Sequence, residues 1–294
     1  MNLILAVSGG VDSIVMLDLC LKKYPKESIT VAHFNHKTRP SADDDQLFVE
    51  QCCKKYNIPF ITNSAEKTAQ PLSEETARNL RYDFLEKTRQ SLNTNNDQET
   101  KILTAHHLDD LVESITINFL RGTGWRGLKV LSRENYLRPF IDGTFDKIYS
   151  RRDILRHAAE NNLKYRFDPT NATDNYLRNR LREKTFNLDK NTKLNLLNLR
   201  NSQIKIENEL KNILKNTSEI NDRKIPRALF KNLDEPTASE LLKFLTETNL
   251  SLTLTRPQLS NLYSAVLTYE PNKLFNLPKN HFLKITKHFI AFEK

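Results

Sequence analysis

Ser8-Gly9-Gly10-Val11-Asp12-Ser13 packs two glycines, two hydroxyls and one carboxylate into six residues. The stretch follows the apolar run Leu3 to Val7 and leads into apolar residues at helical spacing from Ile14 to Leu19. That order reads as strand, tight turn, helix. Glycine allows positive φ, so the turn can aim its amides at one point, and the helix start adds unpaired donors at the positive end of its dipole. Such a turn holds phosphate, the alternative being an ordinary strand-to-helix connection. A Walker loop would place a lysine before the hydroxyl that follows its last glycine. Val11-Asp12-Ser13 stands there instead, so transfer of a terminal phosphoryl group is not expected. Asp12 between hydroxyls suits a magnesium-bound pyrophosphate, released when an α-phosphate is attacked.

A second chemical stretch is His106-His107-Leu108-Asp109-Asp110-Leu111-Val112-Glu113, which opens a helix carried on by Ile115, Ile117, Phe119 and Leu120. Asp110 and Glu113 are three apart and share a helix face. Two carboxylates there suit an ammonium group or a magnesium ion. Zinc is disfavoured, because adjacent histidines cannot share a face and no further ligand set is evident. Asp109 reads equally as a helix cap. Arg121-Gly122-Thr123-Gly124-Trp125-Arg126-Gly127 follows, with the only tryptophan of the chain. Arginines beside an aromatic on a glycine-rich loop suit stacking on a base and contact with phosphates; the alternative is a helix stop with Trp125 in the core.

The elements that must position these loops are legible. Ile29 to Phe34, Pro59 to Thr62 and Lys101 to Ala105 read as further buried strands, with helices from Ser41 to Tyr56, capped by Ser41, and from Ser73 to about Gln90. Asp43, Asp44 and Asp45 suit the first turn of the former. The latter is expected to turn Ala77, Leu80, Phe84 and Leu85 inward and to carry Arg78 and Arg81 on one face. Strand and helix thus alternate four times, an α/β pattern that implies a doubly wound parallel sheet with a ligand crevice at the carboxyl ends of its strands. The loops at residues 8–13, 35–40 and 106–113 all lie at such ends.

The 294 residues suffice for one large or two ordinary domains. No run approaches the ~18 apolar residues of a membrane span. Mean hydropathy is −0.59, and the amino terminus enters its strand without a signal-peptide pattern, so a cytoplasmic protein is expected. Cys20, Cys52 and Cys53 are odd in number and lack C-x-x-C spacing, which argues against disulfides, zinc and iron–sulfur clusters. Buried thiols are expected, with a sulfur relay as the alternative. The net charge is +9, and residues 190–294 hold 17 Lys and Arg against 10 Asp and Glu. A basic excess in one third of the chain suits a long polyanion such as nucleic acid, or else a lysine-rich solvated surface.

Several motifs together resemble the tRNA(Ile)-lysidine synthetase family of PP-loop ATP pyrophosphatases. They are the Ser8–Ser13 loop, Asn35-His36 with Arg39-Pro40, Ala77-Arg78 with Arg81-Tyr82, Ala105 to Asp110 with Glu113, Leu120 to Gly124, and Leu137-Arg138-Pro139-Phe140. Asp168, Asn171, Asp174, Tyr176, Arg178-Asn179 and Leu181-Arg182 complete the set, which covers residues 3 to about 185. The resemblance implies adenylation of the wobble cytidine O2 in tRNA(Ile) with a CAU anticodon, then attack by the ε-amine of free L-lysine at C2 with loss of AMP. It implies ATP with Mg2+ at Ser8–Ser13 with Asp12 near the metal, and lysine at Asp110 and Glu113. His36, Arg39, Arg78, Arg81, His106, Arg121, Asn179 and Arg182 would support the site, and Trp125, Arg126 and Arg178 would meet tRNA. The oligomeric state stays open, a homodimer being one expectation.

Downstream, Ser150-Arg151-Arg152-Asp153 reads as a capping box for a helix reaching Asn161. A long helix is expected from near Asp189, with Leu194, Leu197, Ile204, Ile206, Leu210, Ile213 and Leu214 as a core stripe. Shorter helices follow around Pro226 and Pro236, then a hairpin of residues 273–277 and 282–286 and a strand at 288–292. The expected division is a catalytic α/β domain over 1–188 and a smaller, basic, mainly helical tRNA-binding domain over 189–294. The rival readings are another adenylating enzyme, such as a tRNA thiolase or amidotransferase, and a non-catalytic tRNA-binding protein.

Overall fold

The structure, a computed structural model, describes residues 1–37, 41–65, 73–93, 99–167, 181, 185, 187–216 and 224–293. Two compact units emerge, Met1–Gln203 and Ile204–Lys294. The first alternates β1 (Asn2–Ala6), α1 (Val11–Lys23), β2 (Ile29–Asn35), α2 (Ala42–Tyr56), β3 (Phe60–Ser64), α3 (Glu74–Asn93), β4 (Thr100–Thr104), α4 (Leu108–Leu120), β5 (Tyr136–Leu137) and α5 (Arg151–Glu160). Its five strands are all parallel, in the order β3-β2-β1-β4-β5.

Parallel strands covered on both faces must be apolar on both, and β1 shows it: Leu3 and Leu5 join one core with Val15, Met16, Leu111 and Phe140, while Ile4 joins the other with Ala32, Tyr82, Leu85 and Ile102. Strand order reverses between β1 and β4, so the chains leaving these two strands run to opposite sides and open a crevice. Ala6 pairs with Ala32 on one side and with Thr104 on the other. The three chemical loops therefore start level with one another.

A long helix, α6 (Lys190–Asn216), begins in this unit. Leu197 enters the first core, and Arg200 donates to the carbonyls of Val130 and Leu131 at 3.1 and 2.9 Å. The second unit holds β6 (Lys224–Pro226), α7 (Arg227–Lys231), α8 (Glu235–Leu250), α9 (Arg256–Thr268), β7 (Lys273–Leu277), β8 (His281–Ile285) and β9 (Phe289–Glu293). The hairpin is extended by β9 and β6 into an antiparallel sheet of order β6-β9-β8-β7. Buried Arg227 is satisfied by four carbonyls, those of Val266, Thr286, Leu267 and Tyr269, as a buried cation requires.

Three sequence expectations are corrected. Leu80 is 38% exposed rather than turned inward, because Tyr82, Phe84 and Leu85 already fill that face of α3. Ile206 and Ile213 on α6 are exposed, not core. Ser41 stands at the N-cap of α2 but makes no side-chain capping bond. Among the described residues no helix is long and apolar enough to cross a membrane. The three cysteines are free, and burial pushes the Cys20 and Cys53 thiols up to about 12.

Candidate active site

The Ser8–Ser13 loop is pinned by its own last residue. Ser13 Oγ accepts from the Ser8 and Gly9 amides, both at 3.2 Å, and donates to the Gly10 carbonyl at 2.9 Å. Gly9 lies at φ +93°, where a Cβ would also touch Val49 at 3.4 Å. Below the loop, the Val7 carbonyl meets His33 Nδ1 at 2.8 Å, and since a carbonyl only accepts, the proton is on Nδ1. Beside it, buried Asn35 reaches from the end of β2 to Asp43 and Gln46 at 2.8 and 3.1 Å, tying that strand to α2. Asp45, placed by sequence at a helix start, also holds Arg166 at 3.0 Å, while the Arg166 amide donates to the Gly9 carbonyl at 2.9 Å. Gly9→Ala is expected to weaken nucleotide binding about tenfold while the fold survives, because a non-glycine residue there carries ~1–3 kcal/mol of strain; equilibrium ATP titration checks it.

Where α1 and α4 begin, charges alternate. His107 is the buried N-cap of α4: its Nδ1 accepts the Asp110 amide at 3.4 Å, and its own amide donates to Asp110 Oδ2 at 3.0 Å. Nε2 then carries the proton and lies 3.5 Å from Asp110 Oδ2 and 3.8 Å from Asp12 Oδ1. Asp12 also meets Arg151 Nη1 at 2.6 Å. Asp109 is structural: it accepts the Arg151 amide at 2.7 Å and holds Lys193 of α6 at 2.6 Å. One turn into α4, Glu113 is 2% exposed and shares the Asp110 face.

Cations gather beside this face. Burial pulls the Arg138 guanidinium down to about 10 and also lowers Arg81. Desolvation lowers the His106 imidazole to about 3, opposed by Asp110 and helped by Arg138, Arg81 and Arg78. Burial, with Arg81 and His33, lowers His36 to about 4. Both rings are neutral at working pH, and the arginines carry the charge. A histidine with a depressed pKa adds stability above its unfolded value of about 6.5 and loses it as pH falls toward the folded value. Stability is therefore expected to drop between about pH 6.5 and 4, and thermal melts of His106→Gln should show a shallower drop.

Most sequence-predicted residues thus converge: Ser8 to Ser13, His106 and Asp110 at adjacent strand ends, with Glu113 one turn into α4, Arg78 and Arg81 acting on His106, and Arg81 acting also on His36. Arg121 ends α4 as its C-cap. Trp125 is 42% exposed with Arg126 4.7 Å over its ring, so it is not core. That loop is latched by Asn118, which donates to the Gly127 carbonyl at 2.8 Å and accepts from Thr123 at 3.0 Å. Arg39, Arg178, Asn179 and Arg182 lie outside the described residues, as do Pro40, Asp168, Asn171, Asp174 and Tyr176. Sequence reading missed Arg151, which it took for capping-box filler, and the burial of Arg138.

A family model described as the PP-loop domain matches residues 1–188. The tRNA(Ile)-lysidine synthase of Thermotoga maritima is 37% identical over 192 residues, 62% of this chain and 44% of that protein. The synthase of Petrotoga mobilis is 36% identical over 190 residues, 62% of this chain and 58% of its own length. The bifunctional protein TilS/HprT of Listeria monocytogenes is 37% identical over 194 residues, covering 62% and 28%. The match thus spans less than two thirds of these relatives. Among solved structures, the U34-tRNA thiolase NcsA from Methanococcus maripaludis aligns with a TM-score of 0.53 at 19% identity, over 70% of this chain and 71% of that one, a likeness of fold. With a matching family model over most of its length and the parallel sheet to go with it, the chain belongs to the PP-loop family.

Proposed function

We propose that the first unit uses ATP to adenylate O2 of the wobble cytidine in tRNA(Ile) with a CAU anticodon, then joins free lysine to C2 as lysidine. One observation carries this reading: His107 Nε2 lies 3.8 Å from Asp12 in the phosphate-type loop and 3.5 Å from Asp110, so the first carboxylate of the acidic pair stands beside that loop, with buried Glu113 one turn further along α4. A loop for diphosphate and carboxylates suited to a diamino acid would then lie side by side. The names of the curated relatives support the choice of substrate.

In the first step cytidine O2 attacks the α-phosphorus and the bond to pyrophosphate breaks. The leaving group is taken by the loop amides and the first turn of α1. In the second step the ε-amine attacks C2 and AMP departs from the C2–O bond. Only the neutral amine is nucleophilic, so Asp110 or Glu113 takes a proton from the ammonium. Arg78, Arg81 and Arg138 supply positive charge for the amino acid carboxylate or the α-phosphate.

Among the described residues no three metal-ligating side chains form a cage. The donor set fits a magnesium ion that arrives on phosphate and takes one or two carboxylates, Asp12 first. When bound it would neutralise charge on the departing pyrophosphate. Trp125, Arg126 and Arg178 would meet tRNA, Arg39, Arg121, Asn179 and Arg182 would support the site, and the basic residues 189–294 would hold the tRNA body.

The test is an assay with ATP, lysine and an isoleucine tRNA transcript, omitting each in turn. Labelled lysine in tRNA with AMP released is the expected result. Labelled sulfur or glutamine nitrogen in the product instead would favour another adenylating enzyme. Nucleotide binding without pyrophosphate release would leave a tRNA-binding protein.

A further inference from the structure

Arg151 is a cation in the nucleotide crevice to which the motifs give no role. Three contacts fix it. Ser150 and Asp153 form a capping box that starts α5 at Arg151. The Arg151 amide is held by Asp109 Oδ2 at 2.7 Å, and Asp109 is held in turn by Lys193. The guanidinium then reaches across to Asp12 Oδ2 at 2.6 Å, inside the first turn of α1. The backbone is anchored, and the guanidinium is 40% exposed, free to change partners.

Asp12 stands in the first turn of α1, next to the loop that would gather a pyrophosphate, and an anion beside a carboxylate needs a cation between or beside them. In the structure that cation is Arg151. A metal brought in on phosphate would serve Asp12 instead and release the guanidinium next to a new polyanion. Arginine suits that exchange, since its planar fork pairs with phosphate in two-bond geometry and stays charged throughout.

We propose that Arg151 is a catalytic residue of the first step, which gives up Asp12 to bind the pyrophosphate as the bond to the α-phosphorus breaks. The inference rests on the reading of Ser8–Ser13 as a pyrophosphate loop. No proton moves: the electron pair of the broken bond goes to pyrophosphate, and Arg151 balances part of its charge.

The probe is inorganic pyrophosphate, titrated calorimetrically with Mg2+ into the whole chain. Arg151→Gln is expected to weaken its binding about tenfold or more, and Arg151→Lys by less, since a charge-assisted bond is worth ~1.5–3 kcal/mol. A double-mutant cycle with Asp12→Asn separates the roles. If Arg151 merely neutralises Asp12, Arg151→Gln adds nothing once Asp12 is Asn; if it binds pyrophosphate, affinity falls further on that background. Thermal melts identify variants that lose affinity by unfolding, and for those the Arg151→Lys comparison decides. Wild-type binding with Arg151→Gln unchanged overturns this inference alone. No binding of pyrophosphate or ATP by the wild type overturns the loop reading with it.

Discussion

Glu113→Ala is expected to lower transfer of lysine to tRNA at least about a hundredfold while pyrophosphate release from ATP persists. Glu113 is 2% exposed and one turn beyond Asp110 on α4, and on the proposed reading it would set the position of the lysine ammonium group and take its proton. Misplacing a nucleophile by an ångström, or removing its base, each cost ~10²-fold or more. Glu113→Gln keeps the shape and removes the charge, so it should match the alanine variant in transfer and the wild type in its melt. Separate assays of pyrophosphate and of labelled lysine in tRNA check this. Equal transfer by Glu113→Ala and wild type would remove Glu113 from the mechanism.

The second large effect is on stability. Lys193 and Asp109 meet at 2.6 Å with their side chains 7% and 12% exposed. Removing one member of a buried pair leaves an uncompensated charge, at ~3–5 kcal/mol. Lys193→Met should therefore lower the melting temperature by roughly 10 °C, given ~2–4 °C per kcal/mol for a unit of this size. Asp109→Leu in the same chain should recover only part of that, because Asp109 also holds the Arg151 amide. A melt of Lys193→Met within a degree of wild type would show that water reaches the pair.

The sheet was legible because its strands are buried on both faces and so spell apolar runs, as Leu3 to Val7 and Ile29 to Phe34 do. Tyr136–Leu137 and Lys224–Pro226 were not, being two and three residues long and defined by their neighbours' hydrogen bonds. The acidic face of Asp110 and Glu113 follows from helix periodicity alone. Arg151 and Arg138 do not, since their meaning depends on partners 139 residues away or on burial that only packing decides. Leu80 misled because an apolar residue at helical spacing looks inward whatever its neighbours already fill. In residues 189–294 the hairpin and the helix after Pro236 were readable, whereas α9, with Thr255 and Gln258 as its capping box, went unremarked.

Ser13 closes the phosphate loop on itself, its hydroxyl standing at the focus of the Ser8 and Gly9 amides. The curve of the backbone is thus kept by a bond internal to the turn, and the Ser8 and Gly9 amides become available to a nucleotide once that hydroxyl rotor swings aside. Little freedom of this turn remains to be lost on arrival, so capture by the loop should run near the pace of encounter and slow with added salt.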